Sequence, residues 1–213
     1  MHWIGSLFGS SVGKKLLMAL TGCCFIGFLT VHLAGNLTLY GGKAMFNSYA
    51  EHLHGLGPLL TIAEWGLLTL AVIHVITGTL LFFQNLKARP QRYQMNKWGG
   101  GRTISSATMP YTGFVILIFI VFHLLNFHFV DKSGTTIFDI VMNAFQNIGY
   151  VLIYIVAMVI LALHVRHGFW SLFQTLGANH PKYMPLIMGA SLVLSVIFGF
   201  GFGYLPIYLT ISG

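Results

Sequence analysis

The amino-acid sequence predicts an all-α membrane protein, a single domain over residues 1–213 with five transmembrane helices. Three observations predict it. Charge is too sparse to dress a water-facing surface, five apolar stretches are each long enough to cross a bilayer, and four of the five carry a histidine within the apolar run. Of 213 residues, 56% are hydrophobic and 7% charged, whereas a soluble domain runs near a quarter charged. The bilayer is therefore the expected solvent, and the length suits one membrane domain.

A spanning helix needs about 20 mostly apolar residues. Stretches at about 15–39, 60–86, 108–130, 146–173 and 184–210 qualify. Ahead of them, Met1–Gly13 has no Lys or Arg before an apolar core, and the first apolar stretch, starting at Lys14-Lys15, is long enough to span rather than be clipped. The N-terminus is thus expected not to be a cleavable signal. Cys23 and Cys24 are adjacent in the first span. Neighbours on a helix point about 100° apart, which disfavours a mutual disulfide, and they read as small core residues. No C-x-x-C-H occurs, which excludes c-type haem attachment.

Orientation follows from the connecting segments. With the N-terminus inside, the inner side receives Lys14, Lys15, Lys87, Arg89, Arg92, Lys97, Arg102, Arg166 and Lys182, and the outer side only Lys43 and Lys132. The acids Glu51, Glu64, Asp131 and Asp139 fall on or near the outer side. The positive-inside rule then predicts a cytoplasmic N-terminus and an outer C-terminus, in a bacterial-type cytoplasmic membrane. The net charge of +7 is concentrated on one membrane face, so it is no nucleic-acid signature. Setting topology accounts for it. The five basic residues from Lys87 to Arg102 also suit an acidic partner or anionic lipid.

His32, His74, His123 and His164 stand one in each of the first four spans. An ionisable side chain in hydrocarbon is expensive and points to function. One such residue could be an interhelical hydrogen bond, but one in each of four consecutive spans is harder to assign to packing. Successive spans alternate direction, and position converts to depth at about 1.5 Å per residue. His32 and His123 then share the outer half, and His74 and His164 lie nearer the inner side. Two same-level pairs result, each able to clamp one metal from opposite sides. The segments His74-Val-Ile-Thr-Gly78 and His164-Val-Arg-His-Gly168 form a faint repeat, in which a glycine one turn from a histidine would admit a flat macrocycle or simply serve helix packing. His167, one turn from His164, is the rival ligand. The repeat aligns His74 with His164.

Two imidazoles on opposite sides leave four equatorial positions for a porphyrin. A zinc site wants a third or fourth protein ligand at the same level, and no Cys, Asp or Glu is available at these depths. Iron with two histidine ligands suits electron transfer rather than oxygen binding. The expectation is two b-type haems in a bundle of the first four helices, with the fifth peripheral. His52 and His54, beside Glu51 in the outer connection after the first span, are the candidates for moving protons there.

These residues carry a resemblance. With the four histidines, the segments Val31-His32-Leu-Ala-Gly-Asn36, Phe46-Asn-Ser-Tyr-Ala50 and His164-Val-Arg-His-Gly-Phe-Trp-Ser-Leu-Phe-Gln-Thr-Leu-Gly177 resemble the single-chain, five-helix, di-haem cytochrome b anchors of succinate:quinone oxidoreductases, the succinate dehydrogenases and fumarate reductases. The likeness covers nearly the whole chain. It implies a complex with a flavoprotein carrying FAD and with an iron–sulfur subunit, and electron passage to or from a quinone, commonly menaquinone. It assigns His74 and His164 to the proximal haem and His32 and His123 to the distal one. It suggests Glu51, with Glu64 second, for quinone protons, and the pairing of whole complexes. Val165 and Arg166 occupy the place where some fumarate reductases carry a Glu, so the likeness does not extend to a transmembrane proton route through that residue. The alternatives are the di-haem subunit of another quinone-linked complex, such as a formate dehydrogenase or hydrogenase, and a haem-free transporter. Against the transporter stand five spans, which give no equal inverted halves.

Overall fold

The computed structural model describes residues 9–88 and 104–212, with side chains from residue 108 onward in the second stretch. Among the described residues every regular element is helical. Helix α1 (Ser11–Leu37) begins where the Ser10 hydroxyl accepts from the Gly13 N–H at 3.0 Å, satisfying a donor that a helix start leaves free. A 3-10 turn, Thr38–Gly41, leads to Gly42, whose φ of 79° turns the chain into α2 (Gly42–His54). Pro58 opens α3 (Pro58–Lys87), at a position where its missing N–H costs nothing. Helix α4 (Ile104–His123) runs straight into a π turn, Leu124–His128. Helix α5 (Ile137–Phe145) is capped by the Thr136 hydroxyl, which accepts from the Asp139 N–H. Helix α6 (Ile148–Thr175) is capped by the Asn147 side chain, and α7 (Met184–Ser212) is the last described helix.

Five of these helical runs are long and apolar enough to cross a membrane. Helices α1, α3, α4 with its π turn from residue 108, α6 and α7 lie within a few residues of the expected stretches, although the first run continues through the 3-10 turn and α2 to His54. The differences lie in the connections after the first and third spans, called outer here after the orientation that the charge pattern predicts. The segment with His52 and His54, read as a loop, is mostly helix α2, and the segment with Asp139 includes helix α5. The basic stretch Arg89, Arg92, Lys97 and Arg102 lies outside the described residues.

Helix α1 packs against α3 and α6, and α4 packs against α6 and, more loosely, α3. Around the bundle the order is α3, α1, α6, α4. Hence α1 and α4 face each other across it, as do α3 and α6. Helix α7 stands outside this four-helix arrangement, against α6 and α1, but it is not a loosely attached neighbour. It contributes the most deeply buried side chains, Phe198, Leu209, Pro206 and Ser191. Close approach is bought by glycine: a Cβ on Gly199 would meet Ala162 at 2.9 Å, and one on Gly201 would meet Leu33 at 2.9 Å. The largest core cluster lies at the outer end, where Leu39, Phe46, Val141, Phe145, Val151, Tyr154, Leu205 and Leu209 join α2 and α5 to α6 and α7.

Candidate functional site

The two diagonals of the bundle are joined by histidines. His32 on α1 faces His123 on α4 with ring centres 5.9 Å apart. His74 on α3 faces His164 on α6 at 6.4 Å. Among the described residues no three His, Cys, Asp or Glu converge on one point. Each diagonal brings two histidine rings together.

In the inner pair both rings are oriented by hydroxyls from the other diagonal. Thr21 Oγ1 on α1 lies 2.8 Å from His74 Nδ1 and donates its own proton to the Leu17 carbonyl at 2.7 Å. Thr112 Oγ1 on α4 lies 3.1 Å from His164 Nδ1 and donates to the Met109 carbonyl at 2.9 Å. A hydroxyl that has spent its proton on a carbonyl can only accept from the imidazole. Each Nδ1 therefore carries the hydrogen, and each Nε2 is left with a lone pair. The residue after each threonine is a glycine. A Cβ on Gly22 would stand 3.8 Å from His74 Cε1, and one on Gly113 would stand 3.3 Å from His164 Cε1. These, rather than Gly78 and Gly168, are the glycines that adjoin the rings; Gly78 and Gly168 face Met18 and Met109.

The outer pair is held by aromatic rings. His32 stacks on Phe28 at 5.2 Å and meets Phe202 of α7 at 5.6 Å. Its polar neighbour, the Asn36 amide, approaches Nε2 at 3.5 Å but donates to the His32 carbonyl at 2.8 Å. His123 lies against Phe119 and Phe127, and its Nδ1 is 2.9 Å from Tyr154 Oη.

The sequence carries a signal for these supports that the histidine pattern alone does not reveal. Thr21-Gly22 precedes His32-Leu33 by the same interval at which Thr112-Gly113 precedes His123-Leu124. Threonine and histidine are eleven residues apart in both cases, about three turns, which puts them on one helix face. Each of α1 and α4 thus presents a ligand-type histidine at the outer level and a hydroxyl–glycine support at the inner level.

His167 faces no other histidine ring among the described residues. It stands edge-on to Trp170 at 5.0 Å, with a buried Nδ1 that has no hydrogen-bond partner among the described residues. The geometry sets His164, not His167, against His74. In the outer connections, Glu51 and His54 share a face of α2 and line an open cleft of about 280 Å³ with Asn47, Ala50 and Thr135–Ile137. Neither His32 nor His123 lines it. His52 turns away, its Nδ1 2.7 Å from the Ser48 carbonyl. Glu64 is exposed on the first turns of α3.

The chain is similar to a curated cytochrome b. Over 166 residues it is 27% identical to the succinate dehydrogenase cytochrome b558 subunit of Bacillus subtilis (strain 168), a match covering 76% of this chain and 79% of the relative. No family model matches the chain, and no solved structure matches it. The likeness to that subunit runs through most of the membrane domain and agrees with a multi-pass membrane protein of cytochrome b type.

Proposed function

We propose that this chain is the membrane anchor and electron-transfer subunit of a succinate dehydrogenase or fumarate reductase. In this reading it passes electrons between an iron–sulfur subunit and membrane quinone, the menaquinone of di-haem anchors, through two b haems. His74 and His164 hold the inner haem, and His32 and His123 the outer one. The FAD and the iron–sulfur clusters belong to the partner subunits, and the N-terminus is cytoplasmic.

The observation that carries this reading is the pair of opposed imidazoles on each diagonal, three of the four with Nδ1 engaged by a hydroxyl or phenol oxygen. With a metal–imidazole bond of about 2.0 Å on each side, the centres of two imidazoles sharing one metal stand about 6 Å apart. The separations of 5.9 and 6.4 Å suit that. The hydroxyl partners have the character of the outer-shell groups that orient ligating histidines. Gly22 and Gly113 keep side-chain bulk away from the ligand rings. Bound haem supplies one-electron chemistry, and the apolar bundle keeps water from it.

The two sites are well placed for conduction. Thr21, level with His74, is eleven residues from His32 on one helix, so the sites differ in height by about 16 Å. That divides a bilayer core of about 30 Å into shorter steps. Quinone chemistry also moves protons, and Glu51 with His54 at the outer cleft are the groups we assign to that task.

The test is a dithionite-reduced-minus-oxidised spectrum of the purified membrane complex, with a pyridine haemochrome count. Two low-spin b haems per chain, with co-purifying subunits that oxidise succinate or reduce fumarate, are expected. A colourless protein, or one haem per chain, would overturn the reading. Two haems with a formate- or hydrogen-oxidising partner would keep the haem sites and replace the complex.

A further inference from the structure

Two tyrosines, one turn apart on α6, meet the end of α4. Tyr150 Oη donates to Asn126 Oδ1 at 2.8 Å, and Asn126 Nδ2 donates to the Phe122 carbonyl at 2.7 Å. Asn126 sits in the π turn Leu124–His128, closed by the Phe129 N–H to the Leu124 carbonyl at 2.9 Å. Such turns are rare and frequently occur at functional sites. Here the turn starts immediately after His123. One turn further along α6, Tyr154 Oη meets His123 Nδ1 at 2.9 Å. Tyr154 is 6% exposed, with Phe119 and Phe145 against its ring at 4.9 and 5.0 Å. Among the described residues His123 is the hydrogen-bond partner of this buried phenol, and the direction of the bond is set by which imidazole nitrogen carries the hydrogen.

We propose that Tyr154 is a positioning residue that orients His123 and sets the reduction potential of the outer haem. This rests on the haem-binding function proposed above. With Nε2 committed to iron, the imidazole proton resides on Nδ1 and needs an acceptor. In that buried setting Tyr154 Oη is the atom within reach. An N–H···O bond at Nδ1 raises the basicity of the ligand nitrogen and so favours the more highly charged ferric state. The inner pair receives this support twice, from Thr21 and Thr112. For the outer pair the described contacts give such a bond to His123 alone, since the polar neighbour of His32, the Asn36 amide, approaches the other ring nitrogen, Nε2, at 3.5 Å. One substitution therefore removes it. Tyr150 acts on the turn and not on the ligand.

The experiment is a redox titration of both haems in the complete complex, comparing wild type with Tyr154→Phe. Both haems should remain. One should become easier to reduce, by about tenfold in its ferric-to-ferrous ratio, or about 59 mV for one electron. The haem that moves should be the one missing from His123→Ala, while Thr112→Val should move the other. Unchanged potentials, or equal shifts of both haems, would sink the proposal. Should Tyr154→Phe lose the outer haem, Tyr154→Gln decides, because its amide oxygen can still accept. Recovery of the haem supports the role, and continued loss assigns Tyr154 to packing and overturns it. A wild-type complex with fewer than two haems fails at an earlier step, since it removes the haem reading itself.

Discussion

The inner pair, His74 and His164, is gripped by hydroxyls and flanked by glycines; the outer pair, His32 and His123, is gripped by aromatic rings and a single phenol. The surroundings differ in the same sense. Helices α2 and α5 cover the outer end, where the largest apolar cluster includes Tyr154 itself. At the inner level the described contacts come from the spans alone. Polar support fixes a ring's tautomer and rotation together, whereas stacking fixes its plane and leaves the nitrogen roles open. The inner site is thus specified by hydrogen bonds, and the outer one by shape with one directional contact.

The strongest way to break that comparison is to remove ligands. His123→Ala and His74→Ala should each lower the haem count from two per chain to one, and the surviving haem should keep its native spectrum. The sites share no ligand, and they lie about 16 Å apart in height. Loss of both haems from either single change would mean that the bundle is one cooperative site, and the contrast between its halves would lose its meaning.

A finer test uses the glycines of the inner site. A Cβ at position 113 would stand 3.3 Å from His164 Cε1, tighter than ordinary contact, while one at position 22 would stand 3.8 Å from His74 Cε1. Gly113→Ala should therefore displace His164 by a few tenths of an ångström and lower inner-haem occupancy, with Gly22→Ala close to wild type. Gly113→Val should abolish inner-haem binding and leave the outer haem in place. The haemochrome ratio of each variant measures this. Equal effects of the two alanines would show that the rings adjust freely and that the inner site is softer than its hydrogen bonds imply.

Much of this is legible in the sequence. The five spans are written in apolar run length, which few physical effects can override in a bilayer. The pairing of His32 with His123 and of His74 with His164 follows from alternating direction and rise per residue, and the structure brings those rings together. What escaped was second-order. The sequence pattern points to neighbours along the same helix, Gly78 and Gly168, whereas Gly22 and Gly113 reach the rings from adjacent helices. That relation depends on helix rotation, which run length does not encode. The repeat of Thr-Gly ahead of His-Leu did encode it, at an interval of three turns. Helix α2 was hidden because its composition is half polar, and the packing of α7 because small residues such as Gly199 and Gly201 give no signal until their partners are known.

The smallest effect expected concerns the cover of the outer pair. Lys43 at the start of α2 reaches Asp139 on α5, with Nζ 2.9 and 2.7 Å from the two carboxylate oxygens. The Lys43 ammonium, and then the Thr136 hydroxyl, hold the Asp139 carboxyl below its ordinary range. The sign of the pH dependence follows. A carboxylate with a depressed folded-state pKa stabilises the fold above its unfolded value, and that contribution disappears as pH falls through the lowered one. Both groups are substantially exposed, with side chains 55% and 34% accessible, so water and salt screen the pair. Asp139→Asn keeps an oxygen for the Thr136 hydroxyl and leaves the backbone cap intact, which isolates the ion pair. The variant should melt slightly below wild type at neutral pH, converge with it in strong acid, and converge again as sodium chloride is raised at neutral pH. Its inner haem should be unaffected. An Asp139→Asn complex whose outer haem is lost at neutral pH would show that the covering helices grip the outer pair as directly as Thr21 and Thr112 grip the inner one, and would erase the difference between the two halves.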